Sequence, residues 1–419
     1  MDLTPYPKIA TAEQQCEFKL MPAQLLARRD GLSNFFAKLA AGKEVRIAYF
    51  GGSITAAPGW RVKTLAWLRE TYPQNEFIEI DAAIGGTGSD LGVYRFEQDV
   101  LLHKPDLIFV EFSVNDASAT PQDIWRGMEG IVRQAWKSDP NIDLCYIYTF
   151  RTGYEEQLDQ GLCPPAASAD EILAEYLGIP SINPAMRIAE MAREKTLLFT
   201  PSKDETGAVR PLAKGVTLFS QDGVHPTDEG QDIYTSVISD ALQQMAVNST
   251  AQPHTLPAPF IADNWDKAKL VAIEPWMLSK GWTKLASNDE MVEKFANQLP
   301  ELWEATKPGS RLHFKFKGTG AKLYDIIGPD GGQVVITVDG NSSPPHPRFD
   351  HYCTYHRLAS QEIARELRDE EHEVSIELQP EQPDRTPATS QENEGSDPQK
   401  YNGTVLRVGS IMLMGEVIR

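Results

Sequence analysis

The chain has 419 residues, with 59 Asp or Glu against 40 Lys or Arg and a formal charge of −19. That acidic excess argues against nucleic acid or an anionic membrane as partner, since both call for a basic surface, and it leaves a neutral or small ligand. With 41% hydrophobic and 24% charged residues the composition is that of an ordinary globular protein, and the length favours two domains.

At the start of the chain, MDLTPYPKIATAEQQ has neither the basic region nor the apolar core of a signal peptide. No stretch approaches the ~18–20 apolar residues of a membrane-spanning helix. The expectation is a cytoplasmic protein, or a secreted or periplasmic one whose leader was removed. Cys16, Cys145, Cys163 and Cys353 lie far apart without a CxxC pair, which leans towards a reducing compartment.

Beyond an extension over 1–43, apolar runs alternate with amphipathic stretches. Residues 45–50 (VRIAYF) predict a buried strand, 58–72 a helix, 77–80 a second strand and 89–101 a helix. A third strand over 107–112 (LIFVEF) leads to a helix over 124–136. The strand 144–149, a helix over 169–177 and a short strand over 181–183 follow, and a helix over 227–245 closes the unit. This rhythm predicts a three-layer α/β/α domain over 1–248 with a parallel sheet.

Residues 249–266, rich in proline and polar side chains, predict a linker. From 267 to 419 the signal changes to period-two alternation with Gly, Pro and Asp-Gly turns: 312–316, 333–338, 373–378, 404–408 and 411–413. That pattern predicts an antiparallel β-sandwich of jelly-roll type. Residues 379–400, nearly devoid of apolar side chains, read as a flexible acidic loop.

Four polar motifs sit at the C-terminal ends of predicted parallel strands, where open α/β sheets place their ligands. Gly51-Gly52-Ser53-Ile54-Thr55 follows the first strand. Its serine either presents a hydroxyl to substrate or caps the next helix. A phosphate loop is disfavoured because no Gly-Lys-Ser/Thr follows, and Thr55 stands where the GxSxG nucleophile elbow needs glycine. Ala83 to Ser89 (AIGGTGS) only partly matches a dinucleotide fingerprint, since Leu91 occupies the place of its last glycine. Ser113-Val114-Asn115-Asp116 follows the third strand and reads as a polar turn or as an amide aimed into the cleft. In Asp222-Gly223-Val224-His225-Pro226 a carboxylate three residues before a histidine can fix one ring nitrogen and free the other. A solvated loop before a helix-starting proline is the plain alternative.

Taken in order, these blocks resemble the SGNH (GDSL-type) hydrolase superfamily over residues 46–226, in a GGSIT-type version similar to carbohydrate esterases. The resemblance implies a flavodoxin-like α/β fold and a serine esterase that needs no cofactor and no metal. It makes Ser53 the nucleophile, His225 the general base and Asp222 its orienting acid. The oxyanion hole it implies consists of the Ser53 N–H, the Gly86 N–H and the Asn115 side chain, with Gly85 a near competitor of Gly86. Ser113 departs from the family's glycine at the start of the third block.

The family's shallow site implies short acyl groups, acetyl above all, and the β-sandwich resembles modules that accompany carbohydrate esterases. The expected substrate is therefore an acylated oligo- or polysaccharide, with no nucleic acid or membrane partner. A lipase, thioesterase or arylesterase of the same superfamily, or a glycan-binding protein on an inactive scaffold, are the alternatives. Trp60 and Arg61, after the serine loop, and Arg95, after the glycine loop, are candidate substrate contacts, although an Arg on a helix among acids also reads as an ion pair. Residues 197–216 are a candidate cleft wall. His351, Cys353 and His356 lack the fourth ligand and spacing of a metal site.

Overall fold

The computed structural model describes residues 18–419 apart from 203–204, 207, 247–249 and 391–396. Cys16, the first part of the N-terminal extension and the centre of the acidic loop therefore lie outside the described residues. Two compact units divide the chain, Met1–Asp266 and Lys267–Arg419.

In the first unit six strands form one sheet: β1 (Leu26–Ala27), β2 (Val45–Gly51), β3 (Phe77–Asp81), β4 (Leu107–Glu111), β5 (Asp143–Ile147) and β6 (Ser181–Ile182), in the order β1-β6-β5-β4-β2-β3. The pairs β2–β3, β2–β4, β4–β5 and β5–β6 are parallel, and only the two-residue edge strand β1 runs antiparallel. Every residue of β4 and β5 is buried, as strands covered on both faces must be. From β3 to β6 the spatial order is the flavodoxin-like one, with its switch point between β2 and β4.

The connecting helices are α1 (Ser33–Ala40), α2 (Ser53–Ala56), α3 (Trp60–Thr71), α4 (Ser89–Asp99), α5 (Pro121–Ser138), α6 (Glu155–Asp159), α7 (Pro165–Leu177), α8 (Ala185–Arg193) and α9 (Asp228–Met245). Thr120 caps α5 by accepting from the Asp123 N–H, with Pro121 at the first helical position, and Thr227 caps α9 by accepting from the Gly230 N–H. The strands and helices expected from sequence are present with shifted ends, while β1, α1, α2, α6 and α8 are additions. Short elements such as β1 carry too few residues to show a period.

The segment expected as a linker is laid along the first unit. Gln252 N–H donates to Asn34 Oδ1 (2.9 Å), and the His254 ring stacks on Trp136 at 4.6 Å while bonding Asp143 (2.8 Å). The N–H groups of Phe260 and Ile261 donate to the buried Glu129 (2.7 and 2.9 Å), and Asp263 pairs with Arg126. Its prolines prevent strand or helix formation, yet several of its backbone N–H groups find partners on α1, on α5 and in the turn after α5.

The second unit is an all-antiparallel β-sandwich. Its long strand Arg311–Ile327 pairs with Glu370–Leu378 through its first half and with Arg357–Ala364 through its second, and along its other edge with Leu406–Ile418, where the register shifts between Gly318 and Gly320. Leu312, Phe314 and Phe316 are buried while the alternating His313, Lys315 and Lys317 are exposed, which is the period-two pattern of the sequence. The two strands expected over 404–408 and 411–413 are one, Leu406–Ile418. Within the loop over 379–400 Ala388 is buried, and Tyr401 just after it is buried too. Among the described residues no helix is long and apolar enough to cross a membrane.

Candidate active site

The turn after β2 places Ser53 as the first residue of α2, with Gly52 in extended conformation before it. A first-turn N–H has no partner inside its own helix, so the Ser53 N–H points outward. Gly52 is required by close approach: a Cβ there would lie 1.9 Å from Asn115 Oδ1. The Asn115 side chain thus lies directly over the serine turn, reaching it from the 3₁₀ turn Asn115–Ser118 that follows β4. These two turns flank the switch point of the sheet.

The third part arrives from far along the chain. His225 Nε2 lies 2.8 Å from Ser53 Oγ, and His225 Nδ1 lies 2.7 Å from Asp222 Oδ2. The second oxygen of Asp222 accepts from the N–H groups of Val224 and His225 (2.9 Å each) and from the Ser220 hydroxyl (2.9 Å). Desolvation opposes ionisation of Asp222, but the hydrogen bonds from the His225 ring, from the His225 and Val224 N–H groups and from Ser220 outweigh it and hold the carboxyl well below its ordinary range. A depressed pKa stabilises the folded loop above the unfolded value near 3.8. That contribution is lost only as pH falls through the still lower folded value. Asp222 is therefore ionised through the neutral range. An ionised acceptor at Nδ1 selects the tautomer whose Nε2 lone pair faces Ser53.

The Gly85-Gly86 turn after β3 supplies the remaining wall. A Cβ on Gly85 would sit 3.5 Å from Ser53 Cβ, and Gly86 lines a 280 Å³ cleft together with Gly88, Ser89, Asn115 and Asp116. Among the described residues the N–H groups of Ser53 and Gly86 and the Asn115 amide donate to no other group. Three donors free of internal partners beside a serine hydroxyl are what a developing oxyanion requires. Asn115 also borders a second cleft of 360 Å³, lined by Ala117, Ser118, Arg151, Thr152, Gly153 and Tyr154. A larger groove of 570 Å³ between α8 and α9 touches none of these residues.

The three candidate substrate contacts are corrected by the structure. Trp60 is fully buried, edge-on to Tyr49 and Phe109. Arg61 is buried and pairs with Glu79 and Asp81. Arg95 is 1% exposed, donates to Asp99 (2.8 Å) and to the Ala82 carbonyl (2.6 Å), and lies over the Phe50 ring. Adjacency in sequence to a site loop does not fix which face of a helix a side chain takes, and here each turns into the fold. Arg95→Met is accordingly expected to lower the melting temperature, by about 1–3 kcal/mol of stability, without raising the KM for an ester substrate. Thermal melts beside steady-state kinetics check this.

Of the stretch over 197–216, Leu197–Leu198 pairs with Thr217–Leu218 in a small sheet, and residues 203, 204 and 207 lie outside the described residues. His356 bonds Asp330 (2.9 Å) and Cys353 is buried against Asp350. Sequence reasoning missed Ser220, whose hydroxyl accepts from the Gly223 N–H (2.9 Å), and Glu111, which bonds the hydroxyls of Thr55 and Thr149. Position two before Asp222 was a signal for the first. A lone acid inside an apolar strand was the signal for the second.

Comparison with known proteins bears on the fold and the family. Residues 49–233 match the family model described as GDSL-like Lipase/Acylhydrolase family. A search of curated proteins found no match. Among solved structures, a two-domain esterase active on acetylated mannans aligns at 20% identity over 93% of this chain and 97% of its own, with a TM-score of 0.70. The same kind of esterase co-crystallised with mannopentaose aligns at 20% identity over 91% and 94%, with a TM-score of 0.68. At that identity the two-domain likeness speaks for the fold. Through residues 49–233 the chain is similar to the GDSL-like lipase/acylhydrolase family, and that likeness supports a carboxylic ester hydrolase.

Proposed function

We propose that the protein removes short acyl groups, acetyl foremost, from a carbohydrate through an acyl-enzyme on Ser53. The observation that carries this reading is the unbroken chain from Ser53 Oγ to His225 to ionised Asp222, beside donors that have no other partner among the described residues. Ser53 Oγ attacks the ester carbonyl carbon as its proton passes to His225 Nε2. The carbonyl electrons move to oxygen, where the Ser53 and Gly86 N–H groups and the Asn115 amide receive the charge. Collapse breaks the bond to the sugar oxygen, and His225 returns the proton to that leaving alcohol. Water then repeats the sequence with His225 as base, releasing the carboxylic acid and regenerating Ser53. The chemistry of these side chains calls on no cofactor.

Two features favour a sugar-borne acetyl. The His225 and Asp222 side chains are 52% and 54% exposed, so an ester displayed on a bulky polymer can approach them. The two-domain structural neighbours are described as active on acetylated mannans. Acetate release from acetylated mannan, with other acetylated glycans alongside, tests the reading. On nitrophenyl esters the rate is expected to peak at two to four carbons, and a peak at eight or more would instead place the protein with lipases or thioesterases. Asn115→Ala is expected to lower kcat by about 10²–10³ with little change in KM, since its amide serves charge that appears only in the transition state.

A further inference from the structure

Seven acids of the described chain are buried, and four of them have a basic partner. Glu129, Glu171 and Asp325 each face a guanidinium, and Asp143 a histidine ring. The other three, Glu111, Asp116 and Asp170, have none among the described residues, and all three feel one another electrostatically. A buried carboxyl without a cation is destabilising, so its persistence asks for a reason.

Glu111 ends β4 and is fully buried beneath the serine turn. Its Oε2 accepts from Thr55 Oγ1 at 2.7 Å, and its Oε1 accepts from Thr149 Oγ1 at 2.8 Å. Its own backbone carbonyl accepts from the Gly52 N–H at 3.3 Å. Thr55 is the last residue of the Gly-Gly-Ser-Ile-Thr block and is itself wholly buried, two residues after Ser53 on the single turn of α2. A four-residue helix has almost no intrinsic stability, so something outside it must fix its orientation. Glu111 does so from below, joining it to the segment just past the end of β5.

We infer that Glu111 is a positioning residue, which through the Thr55 hydroxyl holds the α2 turn so that Ser53 Oγ meets His225 and the Ser53 N–H meets the oxyanion. This rests on the acyl-enzyme reading above. It also gives Thr55 a task that glycine, the residue of other serine-nucleophile turns, cannot perform. Burial pushes the Glu111 carboxyl up to about 7, against the hydrogen bonds from Thr55 and Thr149, and the charge on Asp116 adds to that rise. An acid with a raised folded pKa costs stability once pH exceeds its unfolded value near 4.5, and the full cost is present above 7. Glu111→Gln is therefore expected to leave the melting temperature at pH 8 unchanged or higher.

The test measures the rate of Ser53 labelling by a fluorophosphonate, which reports nucleophile geometry without reference to any sugar. Glu111→Leu, which removes the acceptor, and Thr55→Val are each expected to label about tenfold to hundredfold more slowly than wild type, and Thr55→Ser, which keeps the hydroxyl, to recover most of the rate. Because both changes break one link, the double variant should be no slower than the slower single. Should Glu111→Leu fail to fold, Thr55→Val and Thr149→Val apply the same test from the other side of the two hydrogen bonds. Wild-type labelling rates in the folded variants, or single effects that multiply in the double, would overturn the inference. An unlabelled wild-type protein would instead overturn the acyl-enzyme reading on which it rests.

Discussion

Ser53→Ala is expected to reduce acetate release by about 10⁶-fold, the scale on which serine hydrolases respond to loss of the nucleophile. The substitution deletes one oxygen from a partly exposed side chain whose one polar contact among the described residues is His225 Nε2. It therefore removes the attacking atom with little effect on the fold, and the melting temperature should stay within about 1 °C of wild type, as surface changes usually do. What remains is catalysis by the oxyanion donors and by binding, about 10³–10⁴ over the uncatalysed reaction. Acetate release and a thermal melt on the same preparation check both halves. A variant that keeps more than a few per cent of wild-type activity would move the nucleophile elsewhere.

Asp222→Asn should lower kcat by about 10⁴. The amide oxygen can still accept from the Val224 and His225 N–H groups, so the loop keeps its shape. The amide NH₂, however, would face His225 Nδ1 and favour the tautomer that carries its proton on Nε2, towards Ser53. The ring then lies in the right place in the wrong protonation state. Since hydrogen bonds keep Asp222 ionised well into acid, the wild-type pH profile should carry no limb from this carboxyl between pH 5 and 9. A pH–rate series for wild type and Asp222→Asn, with melts as control, measures both effects.

How much of this was legible in the sequence depended on the physics of each element. The strands β2, β4 and β5 declared themselves because burial on both faces demands continuous apolar runs. The proposed nucleophile, base and acid were legible because the chemistry fixes both residue type and place, at the ends of those strands. The single strand Leu406–Ile418 was read as two because Gly409 resembles a break. In the fold it lies mid-strand, where a Cβ would come within 2.4 Å of Leu299, so the glycine serves packing and not a turn. The proline-rich stretch after α9 looked like a tether because its partners, Asn34, Glu129 and Asp143, are far away along the chain. Trp60, Arg61 and Arg95 were drawn to the site by sequence adjacency, whereas three-dimensional packing turned them inward. Glu111 was hidden for the opposite reason. Within LIFVEF it reads as one polar residue in a strand, and only the meeting of β4 with Thr55 and Thr149 shows its use.

The central claim is that Ser53, His225 and Asp222 form a working proton path, and intact mass after fluorophosphonate treatment tests it most directly. One adduct per chain on the Ser53 peptide is predicted, abolished in Ser53→Ala and strongly slowed in His225→Ala. A folded wild-type protein that takes no label, or a label that survives in Ser53→Ala, would contradict it.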